Sequence, residues 1–165
     1  MDTAVQSTVG HVIADLGRLR TYASGDLLFV EGDHSHTVYV CIEGRVRVFL
    51  TMPSGRELLV GIKLPGDEFG ELSALDGRPR SASAAAIGPT VVAELRADRF
   101  IEVLTDEPHL FVAVCQNLSA QLRLANDRLV VRNLNSSTVR PARMLVDLAS
   151  LMMRHGGSSS LSYEV

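Results

Sequence analysis

The segment spanning residues 69–82, FGELSALDGRPRSA, contains residue types suited to binding an anion. Gly70 would let the backbone approach a ligand closely. The five residues that begin at Glu71 could form one helical turn whose first N–H groups stay free. Arg80 follows nine residues after Glu71, and its planar fork can bind two phosphate oxygens. With the glutamate to accept from a sugar hydroxyl, the segment predicts a cradle for a sugar phosphate.

A simpler interpretation fits the same residues. Glu71 and Arg80 could form an ion pair on a polar surface loop that binds nothing. The residue types and their spacing alone leave both interpretations open.

A second polar segment, residues 32–36, contains two histidines, a residue type that binds metals. His34 and His36 would lie on one face if the segment were a strand. A metal site needs further ligands, and Glu43, the next carboxylate, lies seven residues on without a later histidine motif. We therefore expect no metal here and predict a polar turn before a strand.

Known catalytic arrangements are absent from the sequence. There is no nucleophile elbow, no Ser-His-Asp arrangement and no Gly-x-x-x-x-Gly-Lys phosphate loop, so we predict no enzymatic activity and no catalytic residue. Cys41 and Cys115 are too few for an iron–sulfur cluster or a disulfide framework. Both lie in apolar contexts and are predicted to be small core residues, and the low cysteine content favours a reducing compartment, the cytoplasm.

The composition is that of an ordinary globular protein. The 165 residues carry a net charge of −3 and are 46% hydrophobic. No apolar run approaches the ~18 residues that span a bilayer, so we expect no membrane partner. The mild acidity does not favour a self-contained nucleic-acid binder.

Short apolar runs separated by glycines fill residues 20–95. Such runs predict an antiparallel β-sandwich or barrel, and residues 52–56 predict a hairpin turn. The predicted strands are residues 27–30, 38–42, 46–50, 58–62 and 90–95.

From residue 97 onward the apolar periodicity is helical. A short helix is predicted from Ala97 to Leu104, and a long one from Pro108 to about Asn135, which would span roughly 40 Å. Along the long helix an apolar seam recurs in alternate steps of four and three: Phe111, Cys115, Leu118, Leu122, Ala125 and Leu129. This spacing favours a homodimer through the helix over a helix that packs only on its own domain.

The last residues predict one more helix, capped by Ser137 or Thr138 and ended by residues 155–157, and then a serine-rich segment. Residues 161–165 alternate like the start of a strand. We therefore expect a truncated form of a longer protein.

Residues 69–82 resemble the phosphate-binding cassette of cyclic nucleotide-binding domains, in which Gly-Glu-Leu is followed by Arg-Ser-Ala or Arg-Thr-Ala. The glycine-punctuated runs before it resemble the β-roll of that domain. Residues 140–149 resemble the first helix of the winged helix-turn-helix domain of the bacterial catabolite activator and fumarate-nitrate regulator superfamily. The resemblance implies an α+β fold, a jelly-roll-like antiparallel β-roll with flanking helices and a long C-terminal dimerisation helix.

The resemblance also implies how a cyclic nucleotide would bind. Arg80 would pair with the exocyclic phosphate oxygens, Glu71 would accept from the ribose 2′-hydroxyl, and Ser81 would bond the phosphate. Ala125 departs from the family, because it cannot hydrogen-bond a base, so recognition of the base would rest on Asn126 or the partner chain. The implied ligand-binding residues are Gly70, Glu71, Leu72, Arg80, Ser81 and Ala82 in the cassette, Val48, Val60 and Ile62 in the apolar lining, and Ala125 and Asn126 on the long helix.

The resemblance implies three segments: a cyclic nucleotide-binding β-roll over residues 1–106, a dimerisation helix over 107–136 and the start of a winged helix-turn-helix domain over 137–165. They predict a bacterial transcription regulator with no cofactor, in which cAMP or cGMP acts as the allosteric ligand and DNA is bound by a domain beyond residue 165. One alternative is a regulatory domain of an enzyme such as a kinase, acetyltransferase or cyclase. Another is a relative that binds a different effector, or none.

Overall fold

A computed structural model describes the backbone of residues 3–133 and the side chains of residues 9–127. Within the chain, two compact units are distinguished, one ending at Cys115 and one beginning at Gln116. Three predictions lie outside these described side chains: the helix that begins after Ser137 or Thr138, the strand over 161–165 and Leu129 of the seam.

Four helices and eight strands make up the described residues. In chain order they are α1 (Thr3–Leu16), β1 (Arg18–Tyr22), β2 (Leu27–Phe29), β3 (Thr37–Glu43), β4 (Val46–Thr51), β5 (Glu57–Lys63), β6 (Glu68–Phe69), α2 (Glu71–Asp76), β7 (Ser83–Ala86), β8 (Thr90–Arg96), α3 (Ala97–Asp106) and α4 (Pro108–Asn133).

The strands form two four-stranded sheets, in the orders β1-β8-β3-β6 and β2-β7-β4-β5. Every strand pairing in them is antiparallel. Inner-facing residues of both sheets build one apolar core: Tyr39, Cys41, Val46, Phe69, Ala84 and Val92. The predicted α+β fold with an antiparallel β-roll is confirmed.

The five predicted strands are present, but four elements are not evident in the apolar pattern: α1, β1, the two-residue β6 and β7. β7 has the sequence SAAA, whose small residues have little β-propensity, yet all four are buried between β2 and β4. β1 has two arginines and is mostly exposed. α1 carries β-branched residues and a glycine, which weaken its helical signal. Each of these segments is fixed by its neighbours more than by its own sequence.

The hairpin turn predicted over residues 52–56 is confirmed. Met52 donates its N–H to the Arg56 carbonyl at 2.8 Å, and the N–H of Gly55 donates to the Met52 carbonyl at 2.8 Å. Gly55 has a φ of 77°, which favours glycine at this point of the turn.

The helices follow the predicted limits closely. α3 begins at Ala97, and α4 begins at Pro108, where a proline costs no hydrogen bond. On the first turns of α4, Leu110, Ala113 and Val114 are buried. No described helix is long and apolar enough to cross a membrane.

The two cysteines have different environments, which corrects one prediction. Cys41 is fully buried in the roll, and burial raises the pKa of its thiol to about 12. Cys115 is exposed on α4, so it is not a core residue of the described chain.

Close packing of α1 on the roll depends on Gly10. A Cβ built there would lie 2.6 Å from the Gly66 carbonyl oxygen, a backbone atom that cannot rotate away. Gly61 on β5 has no atom within 4 Å of such a Cβ and serves as a control.

We predict that Gly10→Ala lowers the free energy of unfolding by about 1–3 kcal/mol, because overpacking outweighs the gain in helix propensity. Gly61→Ala should change it by less than about 0.5 kcal/mol, as expected for a substitution without new contacts. Urea titrations followed by circular dichroism measure both. Equal stabilities of the two variants would contradict the assigned contact.

Candidate ligand-binding site

A left-handed glycine connects β6 to the short helix α2. Gly70 has a φ of 78° and a ψ of 9°, a conformation that costs other residues free energy. A Cβ at this position would lie 2.6 Å from Nη1 of Arg80. Glycine is therefore required here both for the turn and for the approach of the arginine.

The guanidinium of Arg80 is buried and held at four points. The residue is only 3% exposed. Nη1 donates to the Gly70 carbonyl and to Ser73 Oγ, both at 2.7 Å. Nη2 donates to Ser35 Oγ at 2.7 Å and to the Thr37 carbonyl at 2.6 Å. Segments distant in the sequence therefore meet at one side chain.

Aromatic rings line the apolar side of this guanidinium. Its Cζ lies 4.2 Å from the ring centroid of Phe29 and 5.5 Å from that of Tyr39. The Tyr39 ring stacks in turn on Phe69, with centroids 5.2 Å apart. The ring faces attract the cation, and this contact contributes more as water is excluded.

No carboxylate forms an ion pair with Arg80 among the described residues. Burial lowers the pKa of Arg80, against the raising effects of Tyr39, Glu71 and Asp33 nearby. The group stays protonated, because a guanidinium does not titrate in proteins. Its Nε has no hydrogen-bond partner although it is buried. The site therefore holds a buried positive charge and an unused donor.

The carboxylate of Glu71 lies on the first turn of α2. It is buried, and it forms no ion pair with Arg80 within the described part of the chain. The interpretation of this segment as a surface loop closed by that ion pair is therefore wrong. Both charged groups are retained inside the protein without neutralising each other directly, an arrangement that costs free energy.

The remaining cassette residues lie beside these two groups in the chain and differ in exposure. Leu72, on α2, is exposed. Ser81 is exposed directly after Arg80, and Ala82 is buried where the chain enters β7. Of the predicted cassette residues, the structure places Gly70 in direct contact with the guanidinium, and the roles of all of them toward a nucleotide remain predictions.

The residues predicted to line the apolar part of the pocket do not share one face of their sheet, and their contact with a nucleotide stays a prediction. Val48 is paired with Gly61 on one side and with the buried Ala84 on the other, so it lies on the inner face of its sheet. Ile62 is paired with Arg47, the neighbour of Val48, and therefore lies on the opposite face. Val60 falls at the β-bulge in β5, which the sequence did not reveal.

The two predicted base contacts lie on α4. Ala125 and Asn126 are exposed there, in the unit that begins at Gln116. Their part in recognising a base stays a prediction.

The sequence did not identify Ser35, Thr37 and Ser73 as part of the site. The first two lie in or next to the segment interpreted as a polar turn, and only the fold brings them to Arg80. For Ser73, the sequence offered one signal, its position two residues after Glu71 in a predicted helical turn. Within the described residues, no three His, Cys, Asp or Glu side chains lie close enough to hold a metal ion.

Alanine substitutions of Gly70 and Gly77 distinguish the cost of a left-handed backbone from the cost of contact with Arg80. Gly77, at the other end of α2, has a φ of 69° but no atom within 4 Å of a built Cβ. Gly77→Ala should therefore cost only the left-handed conformation, about 1–2 kcal/mol. We predict that Gly70→Ala costs more and displaces the guanidinium, measured by urea unfolding and by the side-chain NMR signals of Arg80. Equal losses, with unmoved arginine signals, would contradict the assigned contact.

Comparison with known proteins identifies the family. The cyclic nucleotide-binding domain family matches residues 19–107. A CRP-like cAMP-activated global transcriptional regulator from Mycobacterium tuberculosis is 29% identical over 145 residues, which cover 87% of this chain and 65% of that protein. The cyclic AMP receptor protein of Thermus thermophilus is 31% identical over 129 residues, covering 78% of this chain and 60% of that protein.

The fold agrees with these sequence matches. The crystal structure of the Thermus thermophilus catabolite activator protein superposes with a TM-score of 0.68 at 29% identity, covering 76% of this chain and 59% of the other. The chain thus spans about 60–65% of the length of the curated relatives it matches. These relatives are transcription regulators and not enzymes. The chain belongs to the cyclic nucleotide-binding domain family, in the form found in the catabolite activator and fumarate-nitrate regulator superfamily.

Proposed function

We propose that this chain is the ligand-sensing part of a transcription regulator and binds cAMP or cGMP at Arg80. The observation that carries the proposal is the buried guanidinium, which has an unpaired Nε and no carboxylate in ion-pair contact among the described residues. A buried charge of this kind is costly unless an opposite charge compensates it. An anionic ligand would supply that compensation.

The surrounding groups favour a phosphate joined to a sugar. The arginine fork is suited to phosphate oxygens. Glu71, buried next to Gly70 and free of an ion pair with Arg80, can accept hydrogen bonds from a ribose hydroxyl. Ser81, exposed beside the arginine, can add a hydroxyl donor. A serine at this position slightly favours cAMP over cGMP by resemblance to the family.

Control of DNA binding is the wider proposal. The two curated relatives are by name cAMP-activated or cAMP receptor proteins, and each is longer than this chain. We infer that a winged helix-turn-helix domain follows residue 165 in the whole protein and that the ligand shifts its DNA-binding equilibrium. That shift can be no larger than the difference in ligand affinity between the two states.

Calorimetry with cAMP and with cGMP tests the ligand. We expect at least one of them to bind below ~100 µM, and Arg80→Ala to weaken that binding by roughly 2–4 kcal/mol, because it removes charge-assisted hydrogen bonds in a buried site. Arg78→Ala is the matched control, since Arg78 is exposed two residues away. Binding of neither nucleotide would refute the proposal, and equal affinities of the two variants would refute the role of Arg80.

We also propose that α4 mediates a homodimer. Phe111 is 49% exposed and Leu122 is 64% exposed, and both lie on the seam of alternate four- and three-residue steps. Apolar side chains at this spacing are typical of helices that pair with another helix. The resemblance to the catabolite activator and fumarate-nitrate regulator superfamily supports the same assembly.

Leu122→Glu should convert the dimer to a monomer, because it places a charge in the centre of the seam. Gln121→Glu introduces the same charge one residue away, off the seam, and should leave the dimer intact. Sedimentation velocity across a range of concentrations measures both. A monomeric wild type, or a dimeric Leu122→Glu variant, would contradict the proposal.

A further inference from the structure

We propose that Ser35, in the turn between β2 and β3, is a further residue of the anion site. Its oxygen holds Arg80, and its hydroxyl hydrogen is donated to the bound phosphate. This inference rests on the proposed function and adds a residue outside the cassette to it. The sequence identified Ser35 only as part of a polar turn.

The argument begins with the donors of the guanidinium. A guanidinium has five N–H groups. Four of them are used by Gly70, Ser73, Ser35 and Thr37, and the fifth, on Nε, is free. Nε shares one edge of the planar fork with Nη2. An anion that takes the free donor therefore binds beside Nη2, whose two acceptors are Ser35 Oγ and the Thr37 carbonyl.

The two acceptors on Nη2 differ in what they can offer an anion. The Thr37 carbonyl can only accept, so it would repel a phosphate oxygen. The Ser35 hydroxyl accepts from Arg80 and still has a hydrogen to donate. None of the hydrogen bonds of the described residues uses that hydrogen. Ser35 can therefore bridge Arg80 and the phosphate without giving up its bond to the arginine.

The second serine on the guanidinium is already saturated. Ser73 accepts from Nη1 and donates to the Gly70 carbonyl at 3.3 Å. Its hydrogen is therefore committed within the protein. Both serines accept a hydrogen bond from Arg80, but only Ser35 has a hydroxyl hydrogen left to donate to a ligand.

Backbone hydrogen bonds keep the turn in register with Arg80. The Gly32 N–H donates to the Arg80 carbonyl, and the Arg80 N–H donates to the Asp33 carbonyl, both at 2.9 Å. The Glu31 N–H also donates to Ser83 Oγ at 2.9 Å. The turn is thus fastened to the segment between α2 and β7, which carries the arginine, and to the start of β7. This places the Ser35 hydroxyl in advance of binding and reduces the entropy cost of using it.

Calorimetry with cAMP and cGMP on the whole chain tests the inference. We expect Ser35→Ala to weaken the nucleotide that binds by about tenfold, the loss of one hydrogen bond to a charged group. Ser35→Thr keeps the hydroxyl and should restore affinity to within about threefold of wild type. Ser73→Ala should weaken binding less than Ser35→Ala. Ser24→Ala is the control: Ser24 Oγ accepts from the Gly88 N–H in another turn, and its loss should leave affinity unchanged.

The outcomes separate this inference from the proposed function. If the wild type binds and Ser35→Ala binds equally well, the role of Ser35 is refuted and the proposed function stands. If Ser35→Ala melts at a lower temperature than Ser24→Ala and Ser35→Thr does not restore binding, Ser35 is structural and the inference is also refuted.

If the wild type binds neither nucleotide, the proposed function fails, and donation to the phosphate fails with it. NMR of the arginine side chain in the absence of ligand then tests whether Ser35 accepts a hydrogen bond from Arg80. We expect separate Nη signals in the wild type, because four bonds hinder rotation of the guanidinium, and merged signals in Ser35→Ala. Unchanged signals would refute that part as well.

Discussion

The buried charge of Arg80 is the constraint on which the rest of this structure depends. An unpaired guanidinium inside a protein is unfavourable, and here its cost is offset by four hydrogen bonds and two aromatic rings instead of a carboxylate. Each hydrogen-bonding partner must be placed accurately, because a hydrogen bond weakens steeply outside a narrow range of distance and angle. The turns, the left-handed glycine and the strand register around the site serve that placement.

The partners of Arg80 also show why the site involves both sheets. Phe29 belongs to β2 in one sheet, while Tyr39 and Phe69 belong to β3 and β6 in the other. Their rings form part of the shared core, with Phe29 and Phe69 centroids 6.2 Å apart. The arginine therefore rests directly on the contact between the sheets.

The local chemistry of the site could be predicted from the sequence, but its long-range contacts could not. Gly70, Glu71 and Arg80 lie within eleven residues, and the short helix between them follows from local pattern. Ser35 lies 45 residues from Arg80 in the chain, so nothing local links the two. The opposite faces of Val48 and Ile62 depend on the register of β4 and β5, which a turn sequence constrains only loosely. β7 could not be predicted from the apolar pattern, because its alanines are buried by neighbouring strands and not by strong hydrophobicity of their own.

Backbone carbonyls and hydroxyls have different consequences as partners of a buried cation. The carbonyls of Gly70 and Thr37 are fixed acceptors, so they stabilise the guanidinium equally in any state that preserves the backbone. Hydroxyls can rotate, and they can accept and donate together. A phosphate arriving at Arg80 would therefore repel the carbonyls and recruit a hydroxyl. Since Thr37 begins β3 and Gly70 precedes α2, that repulsion would fall on the ends of two elements of the roll. A ligand bound at this one side chain would thereby act on the backbone without needing a long chain of contacts.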